Sequence, residues 1–415
     1  MSNEKGKLES PVPPAPAHIP AEQVELFDFE NDPGYQQDPQ GRLNALRDRH
    51  RVFYTPKGRK SLLGGGTWVF THAEDIRAVL QDATTFRSGG NRPFGKALGE
   101  DWVLVPVDLD PPEHDRMRAF MNPLFSPKRI VALAPKIEQR AVELISLFQK
   151  RGHCAFIDEF AKPFPVTIFL EMFGLPVSEM PLFLKWEENI IHRQGSVQLE
   201  SMRELRDHLA KIIDERRRSP RDDLISHAVT GEIDGVKLTY DEIMGMCIML
   251  FMGGLDTVTS ELGFLFRHLA ENPEQQAQLR ADPSLIPTAL EELLRFYPII
   301  TTGRIAARDV DIAGARIKAG ENVACPLAAA SRDPAELADS CTVNLGRNPN
   351  RHSAFGFGPH RCIGSHLARR ELSVAIEQWL KLIPPFRLAP GAKLTAKGAG
   401  VVALQSLPLV WNSGL

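Results

Sequence analysis

The chain has 415 residues, 43% of them hydrophobic and 24% charged, with 49 Lys plus Arg against 52 Asp plus Glu and a net charge of −3. That is ordinary globular usage with ample length for a large core, and it gives no reason to expect nucleic acid or an anionic membrane as a partner. The cysteines, Cys154, Cys247, Cys325, Cys341 and Cys362, are too widely spaced for a zinc or thioredoxin-type pair and odd in number, so reduced thiols in a cytoplasm are expected.

Residues 1–20, with Pro11-Val12-Pro13-Pro14-Ala15-Pro16, read as an extended, poorly ordered tail before a single domain over 21–415. Met1 to Ser10 lacks the apolar core of a signal peptide. Short strands are predicted at Val52–Tyr54 and Thr67–Phe70, around a turn at Gly64-Gly65-Gly66. Thr71 with Glu74 predicts a capping box opening a short helix. From about Pro127 to Leu279 the pattern is mainly helical, broken at prolines and glycines. Within it, Thr239 and Glu242 make a second capping box, and Ile243 to Phe251 is apolar on every face, as a helix through the core would be. No apolar run reads as long and uninterrupted enough to span a bilayer. A further helix ends near Pro298, Ile305 to Ala324 alternates like strands, Ser365 to Leu382 is helical, and Phe386 to Trp411 is strand again. The expected fold is mainly α with a minor β part, without internal repeats.

Two stretches stand out chemically. The first is Phe355-Gly356-Phe357-Gly358-Pro359-His360-Arg361-Cys362-Ile363-Gly364, which presents one thiol just before a long helix. A helix N-terminus favours a thiolate through its free N–H groups and partial positive charge, and flanking glycines let a flat, bulky group approach the backbone. A lone cysteine is ordinarily a small buried hydrophobe, but this loop is too specified for that reading. The second is Gly253-Gly254-Leu255-Asp256-Thr257, set inside the apolar helix. Each interior glycine costs about 1 kcal/mol relative to alanine, and an unpaired buried carboxylate costs more. Taken alone, it reads equally as a kink with a satisfied polar pair.

Together these stretches resemble the cytochromes P450, and within them the group around the bacterial camphor monooxygenase. Further shared segments are Gly253 to Val258, His366-Leu367-Ala368-Arg369-Arg370-Glu371 and Leu407-Pro408-Leu409-Val410-Trp411. The resemblance implies haem b (iron protoporphyrin IX) between the long oxygen-binding helix and the cysteine loop, with the Cys362 thiolate as proximal ligand to the iron. It implies that Thr257 hydrogen-bonds the bound O2 co-substrate, that Asp256 relays protons to it, and that Gly253 leaves room for it. Haem contacts are expected from Phe355 and Gly364 in the loop, and propionate contacts from His114, Arg118, Arg304 and His360. Glu292, Arg295 and Arg347 match the Glu-Arg-Arg network that supports the cysteine loop. As a bare i,i+3 pair, Glu292 and Arg295 would mean little.

The chain carries no room for a fused reductase, so electrons are expected from NAD(P)H through separate proteins, a 2Fe–2S ferredoxin and its flavin-dependent reductase. Arg77, Arg116, Arg118 and Arg361 are candidates for docking an acidic ferredoxin, against the plainer reading of surface arginines. By position, the substrate pocket would comprise Phe94, Trp102, Leu104, Val107, Met249, Met252, Ile300, Thr302 and Val401. Trp102 stands where the camphor enzyme has a tyrosine that binds its ketone, and an indole donates but cannot accept a hydrogen bond. Thr302 replaces an aspartate that helps hold a propionate. The pocket so composed is apolar and adaptable, which points to a small terpenoid or norisoprenoid such as cineole or an ionone, with camphor disfavoured. A cytoplasmic monomer hydroxylating an unactivated C–H bond is expected. The alternatives are a peroxide-driven fatty-acid hydroxylase, which would want a pocket cation in place of the acid–threonine pair, and a non-enzymatic haem protein that senses or carries a gas.

Overall fold

A computed structural model describes residues 12–58, 66–89 and 94–412. Strand Val52–Thr55 pairs antiparallel with Thr67–Phe70, as expected. The second of these runs parallel to Asn322–Pro326, which pairs with Thr301–Ala306, and Phe86–Arg87 completes a five-stranded sheet. The expected turn residues Gly64 and Gly65 lie outside the described residues, as do residues 1–11 of the Pro-rich segment. The rest of that segment is placed, and Ile19 is buried in the cluster around Trp68 and Phe70, so packed chain begins before residue 21.

The capping box expected at Thr71 and Glu74 does not form. Helix Ala73–Gln81 starts at His72 without a side-chain cap. The Thr71 hydroxyl donates to the His50 carbonyl at 2.6 Å, and Glu74 pairs with Arg51. Asp333 accepts instead from the Ala73 N–H at 2.8 Å, a distant carboxylate replacing the local one at a buried helix start. The second box, Thr239 with Glu242, forms with both reciprocal bonds.

The helical middle is as read, with helices Pro127–Ser146, Pro163–Met172, Met180–His192 and Ser196–Arg218. Strand His153–Ala155 interrupts it to join the C-terminal strands Phe386–Leu388 and Pro408–Trp411 in a three-stranded sheet. The apolar helix is in two pieces, Tyr240–Gly254 and Asp256–Glu271, broken at Leu255. The first packs in a cluster with Trp102, Phe169 and Phe183, the second in one with Phe156, Trp379 and Phe386. By length and composition alone Tyr240–Glu271 could cross a membrane, contrary to the sequence expectation, but 67% of its most apolar window is buried inside the fold. Its apolarity is that of a core helix packed on several sides. Helix Ser365–Leu382, at its expected bounds, packs against Pro127–Ser146, Ile286–Phe296 and Asp256–Glu271, which brings the cysteine loop and the helix break into one region.

Candidate active site

The cysteine loop is held by its own backbone. Cys362 N–H donates to the Phe355 carbonyl at 2.9 Å and Gly356 N–H to Ser353 at 2.7 Å. Gly356 and Gly358 both have φ near +70°, and a Cβ on Gly358 would stand 2.3 Å from the Leu80 carbonyl, so only glycine fits there. The thiol is exposed, yet protein surrounds it densely enough that burial is the largest influence on it, pushing its pKa up. The Gly364 N–H, then Arg118, Arg361 and Arg369, pull the other way and favour the thiolate.

Across from the loop, the helix break shapes the second wall. Thr257 is half-buried and its hydroxyl donates to the Gly253 carbonyl at 2.7 Å, one turn back. Gly254 is accessible although it lies in a core helix, and a Cβ there would meet nothing within 4 Å. Asp256 is buried beside it.

Glu292, Arg295 and Arg347 come together as expected. Glu292 and Arg295, both wholly enclosed, bond twice at 2.8 Å, and Arg347 reaches Glu292 at 3.0 Å. Arg295 also donates to the carbonyls of Ser340 (2.7 Å) and Thr342 (2.9 Å), and Asn344 N–H donates to Glu292 at 2.9 Å. Burial works against the Glu292 charge, but these donors outweigh it and hold its pKa low. Sequence reading missed a second network. Glu291 takes Arg369 at 2.6 Å and 2.9 Å and His352 at 3.0 Å, which overcome burial and bring its pKa to about 2. Arg369 in turn lies 4.4 Å from the Phe355 ring centre, so this network reaches the cysteine loop directly.

A small apolar cavity is lined by Phe94, Trp102 and Met252 from the expected set. Leu98, Ile190, Met202, Leu205 and Ile248 complete its lining, and none of these was read from the sequence. The Trp102 N–H donates to Glu100, whose other oxygen pairs with Arg206 of helix Ser196–Arg218. Leu104 is buried in the cluster around Phe169, to which Trp102 also belongs, and stands outside the lining of this cavity. Val107 and Met249 pack against the same cluster outside the cavity lining. Ile300 and Val401 form a bridge beside the five-stranded sheet, and the Thr302 hydroxyl accepts from Arg304 at 3.2 Å. The expected pocket residues therefore fall in two groups.

The cytochrome P450 family model matches residues 166–286 and 284–390. A protein described as probable cytochrome P450 127A1, from Sinorhizobium fredii, is 37% identical over 404 residues, covering 96% of this chain and 97% of that one. The chain belongs to the cytochrome P450 family. Mycinamicin IV hydroxylase/epoxidase from Micromonospora griseorubida is 33% identical over 84% of this chain and 90% of that protein. The crystal structure of cytochrome P450 CYP101C1 superposes with a TM-score of 0.87 at 34% identity, covering 96% of this chain and all of that one. The protein is thus a P450 monooxygenase, an oxidoreductase of a family that binds haem iron and takes electrons from redox partners.

The residues present fit that cofactor. His114 is buried with Nε2 lacking any hydrogen-bond partner, while Asp115 holds Nδ1 at 2.8 Å. Burial, then Arg118, lower the imidazole pKa against the pull of Asp115. His114 and His360 rings lie 4.2 Å apart. Arg118 donates to the Arg361 carbonyl at 2.7 Å, tying it to the cysteine loop. Arg304 is buried in the sheet and donates to the Gly303 carbonyl at 2.7 Å. A carboxylate meeting His114 Nε2 would satisfy the orphaned nitrogen, and the open space at Gly254 and the exposed Cys362 leave both residues accessible to a flat ring. Among the P450 docking candidates, Arg361 is exposed and Arg77 lies 5.8 Å from the Phe357 ring centre of the cysteine loop. Arg77 already pairs with Glu336 and Arg116 with Glu242, so part of their charge is compensated.

Proposed function

We propose that this P450 is a ferredoxin-dependent hydroxylase of small apolar terpenoids or norisoprenoids. The observation that carries the substrate class is the apolar cavity walled by Trp102, whose single donor is already committed to Glu100. None of the side chains lining it is charged, which disfavours a fatty-acid carboxylate as the group bound there. The electron source, a 2Fe–2S ferredoxin with a flavin-dependent reductase drawing on NAD(P)H in a cytoplasm, follows from the motifs shared with the camphor-monooxygenase group.

Haem b bound through Cys362 would supply the oxidising chemistry, spending O2 and two electrons to place one oxygen atom in a C–H bond. Cys362 would hold it as thiolate, which the Gly364 N–H and three nearby arginines favour against the effect of burial. His114, Arg118, Arg304 and His360 take its carboxylates. Asp256 passes protons inward, and the Thr257 hydroxyl, now resting on the Gly253 carbonyl, turns to orient them. Phe94, Trp102 and Met252 would contact the substrate and orient it. The Glu292 and Glu291 networks keep the cysteine loop rigid.

The test is a spectral titration of the purified ferric protein with cineole, ionones, camphor and fatty acids. A large low-to-high-spin change with cineole or an ionone, and little with camphor, is expected. A change with fatty acids alone would overturn the terpenoid reading.

A further inference from the structure

Glu187, on helix Met180–His192, is absent from every motif above. It is 3% exposed, and its Oε2 is buried with no hydrogen-bond partner. A carboxylate so placed loses most of its hydration, and a proton is the inexpensive remedy. Burial, then the charge of Asp256, push its pKa up to about 8, against the pull of Lys162.

Its surroundings differ from those of a neutral core filler. Glu187 lines a cleft of about 450 Å³ with Asp158, Lys162, Leu184, Glu188 and Arg193. The charged groups facing it are Asp158 and Lys162 from one segment, Glu188 and Arg193 from its own helix and just beyond, and Asp256 from the broken helix. Those at the cleft pair among themselves: Lys162 with Asp158 at 3.2 Å and with Glu188 at 3.5 Å, Arg193 with Glu188 at 3.1 Å. The Thr259 hydroxyl donates to the Ala161 carbonyl at 3.0 Å, which fastens the segment carrying Lys162 to the Asp256 helix within one turn of Asp256. Glu187 thus stands between a cleft lined mainly by charged side chains and the acid of the acid–threonine pair.

We propose that Glu187 takes up a proton from water in this cleft and passes it to the Asp256 carboxylate. The O–H bond at Glu187 breaks as one forms at Asp256. The Glu187 anion, held by Lys162, then takes a proton from the cleft water, so one solvent proton is delivered per cycle and no oxidant is needed. Glu187 acts through Asp256 and rests on the proton role assigned to Asp256 above.

The experiment compares wild type, Glu187→Gln, Glu187→Asp and Asp256→Asn as haem-loaded full chains, across neutral and mildly alkaline pH with saturating substrate. Wild-type turnover should fall as Glu187 loses its proton. Glu187→Gln, which keeps shape and neutrality, should turn over about tenfold slower and lose that alkaline limb, and Glu187→Asp should restore it in part. Independently of turnover, the infrared difference spectrum of wild type minus Glu187→Gln, in which the bands of buried Glu261 and Glu371 cancel, should show a protonated-carboxyl band that titrates in the same range. A Gln variant with wild-type rate and pH profile, or a difference spectrum without that band, overturns the proposal. If Asp256→Asn is slow while Glu187→Gln is not, only Glu187 falls; if Asp256→Asn also runs at the wild-type rate, the Asp256 role falls and Glu187 with it. Should Glu187→Gln fail to fold, Glu187→Asp decides: its difference spectrum against wild type should show the protonated-carboxyl band shifted, and an unshifted spectrum overturns the assignment.

Discussion

Thr257 gives its hydroxyl proton to the Gly253 carbonyl, so it must rotate about χ1 to serve anything bound beside it. Thr257→Ala removes the donor while leaving Asp256 in place. Product formed per NADH should fall by about tenfold, with hydrogen peroxide making up the difference, while NADH consumption continues. Simultaneous assay of NADH, alcohol and peroxide checks this, and an unchanged yield would remove Thr257 from the mechanism. Cys362→Ser should abolish the thiolate-type spectrum of the reduced carbon monoxide complex; a variant that keeps it would displace Cys362 as ligand. These residues were legible in the sequence because their motifs are contiguous: the glycines, the thiol and the acid–threonine pair each sit within a ten-residue window. Glu187 was not legible. What distinguishes it is an unpartnered oxygen and the charge of Asp256, both of which exist only once distant segments meet.

At the level of elements, the same contrast runs through the capping boxes and the ion-pair networks. Thr239 and Glu242 cap as read because Thr239 is exposed and Glu242 gives one oxygen to the cap while Arg116 takes the other. Thr71 and Glu74 do not, since Asp333 reaches the buried helix start from far along the chain. Glu292 and Arg295 were readable as a pair, but only the fold shows them wholly enclosed and bonded to the loop of Ser340 and Thr342. Glu292→Ala would strand the Arg295 guanidinium in the interior and should cost about 3–5 kcal/mol. The urea midpoint of the variant, measured with haem retention, checks it; a loss typical of a surface pair would contradict the burial. Arg206→Ala severs the tie from helix Ser196–Arg218 to Glu100 and Trp102. That pair is partly exposed and worth at most about 1 kcal/mol to stability, so the expected effect is faster substrate release at nearly unchanged thermal midpoint, read by stopped-flow.

For the whole molecule, buried carboxyls of opposite character set the pH range of stability. Burial raises Glu261 and Glu371 well above 4.5 and brings Glu187 to about 8, so each is neutral when folded. The folded state then holds more protons than the unfolded one above about pH 4.5, and stability falls as pH rises through that window. Glu291, held at about 2, and Glu292, also lowered, have the opposite sign: their contribution is present above the unfolded pKa and lost as pH falls. Urea midpoints should therefore peak in mildly acidic solution and decline on both sides, and Glu371→Gln should flatten the alkaline decline. An alkaline optimum would contradict the enclosed acids.

The break at Leu255 also falls on a boundary of packing. Ile243, Met244, Met246, Cys247, Ile248, Phe251 and Leu255 belong to the cluster that encloses the small apolar cavity, and Val258, Leu262, Leu265, Phe266, Leu269 and Ala270 to the cluster around Trp379 that backs the cysteine helix. One continuous helix would couple the two bodies stiffly; a helix interrupted between them lets the first loosen while the second stays shut. Backbone amides of Tyr240–Gly254 should accordingly exchange with deuterium as part of the unit that opens for substrate, and those of Asp256–Glu271 only with global unfolding.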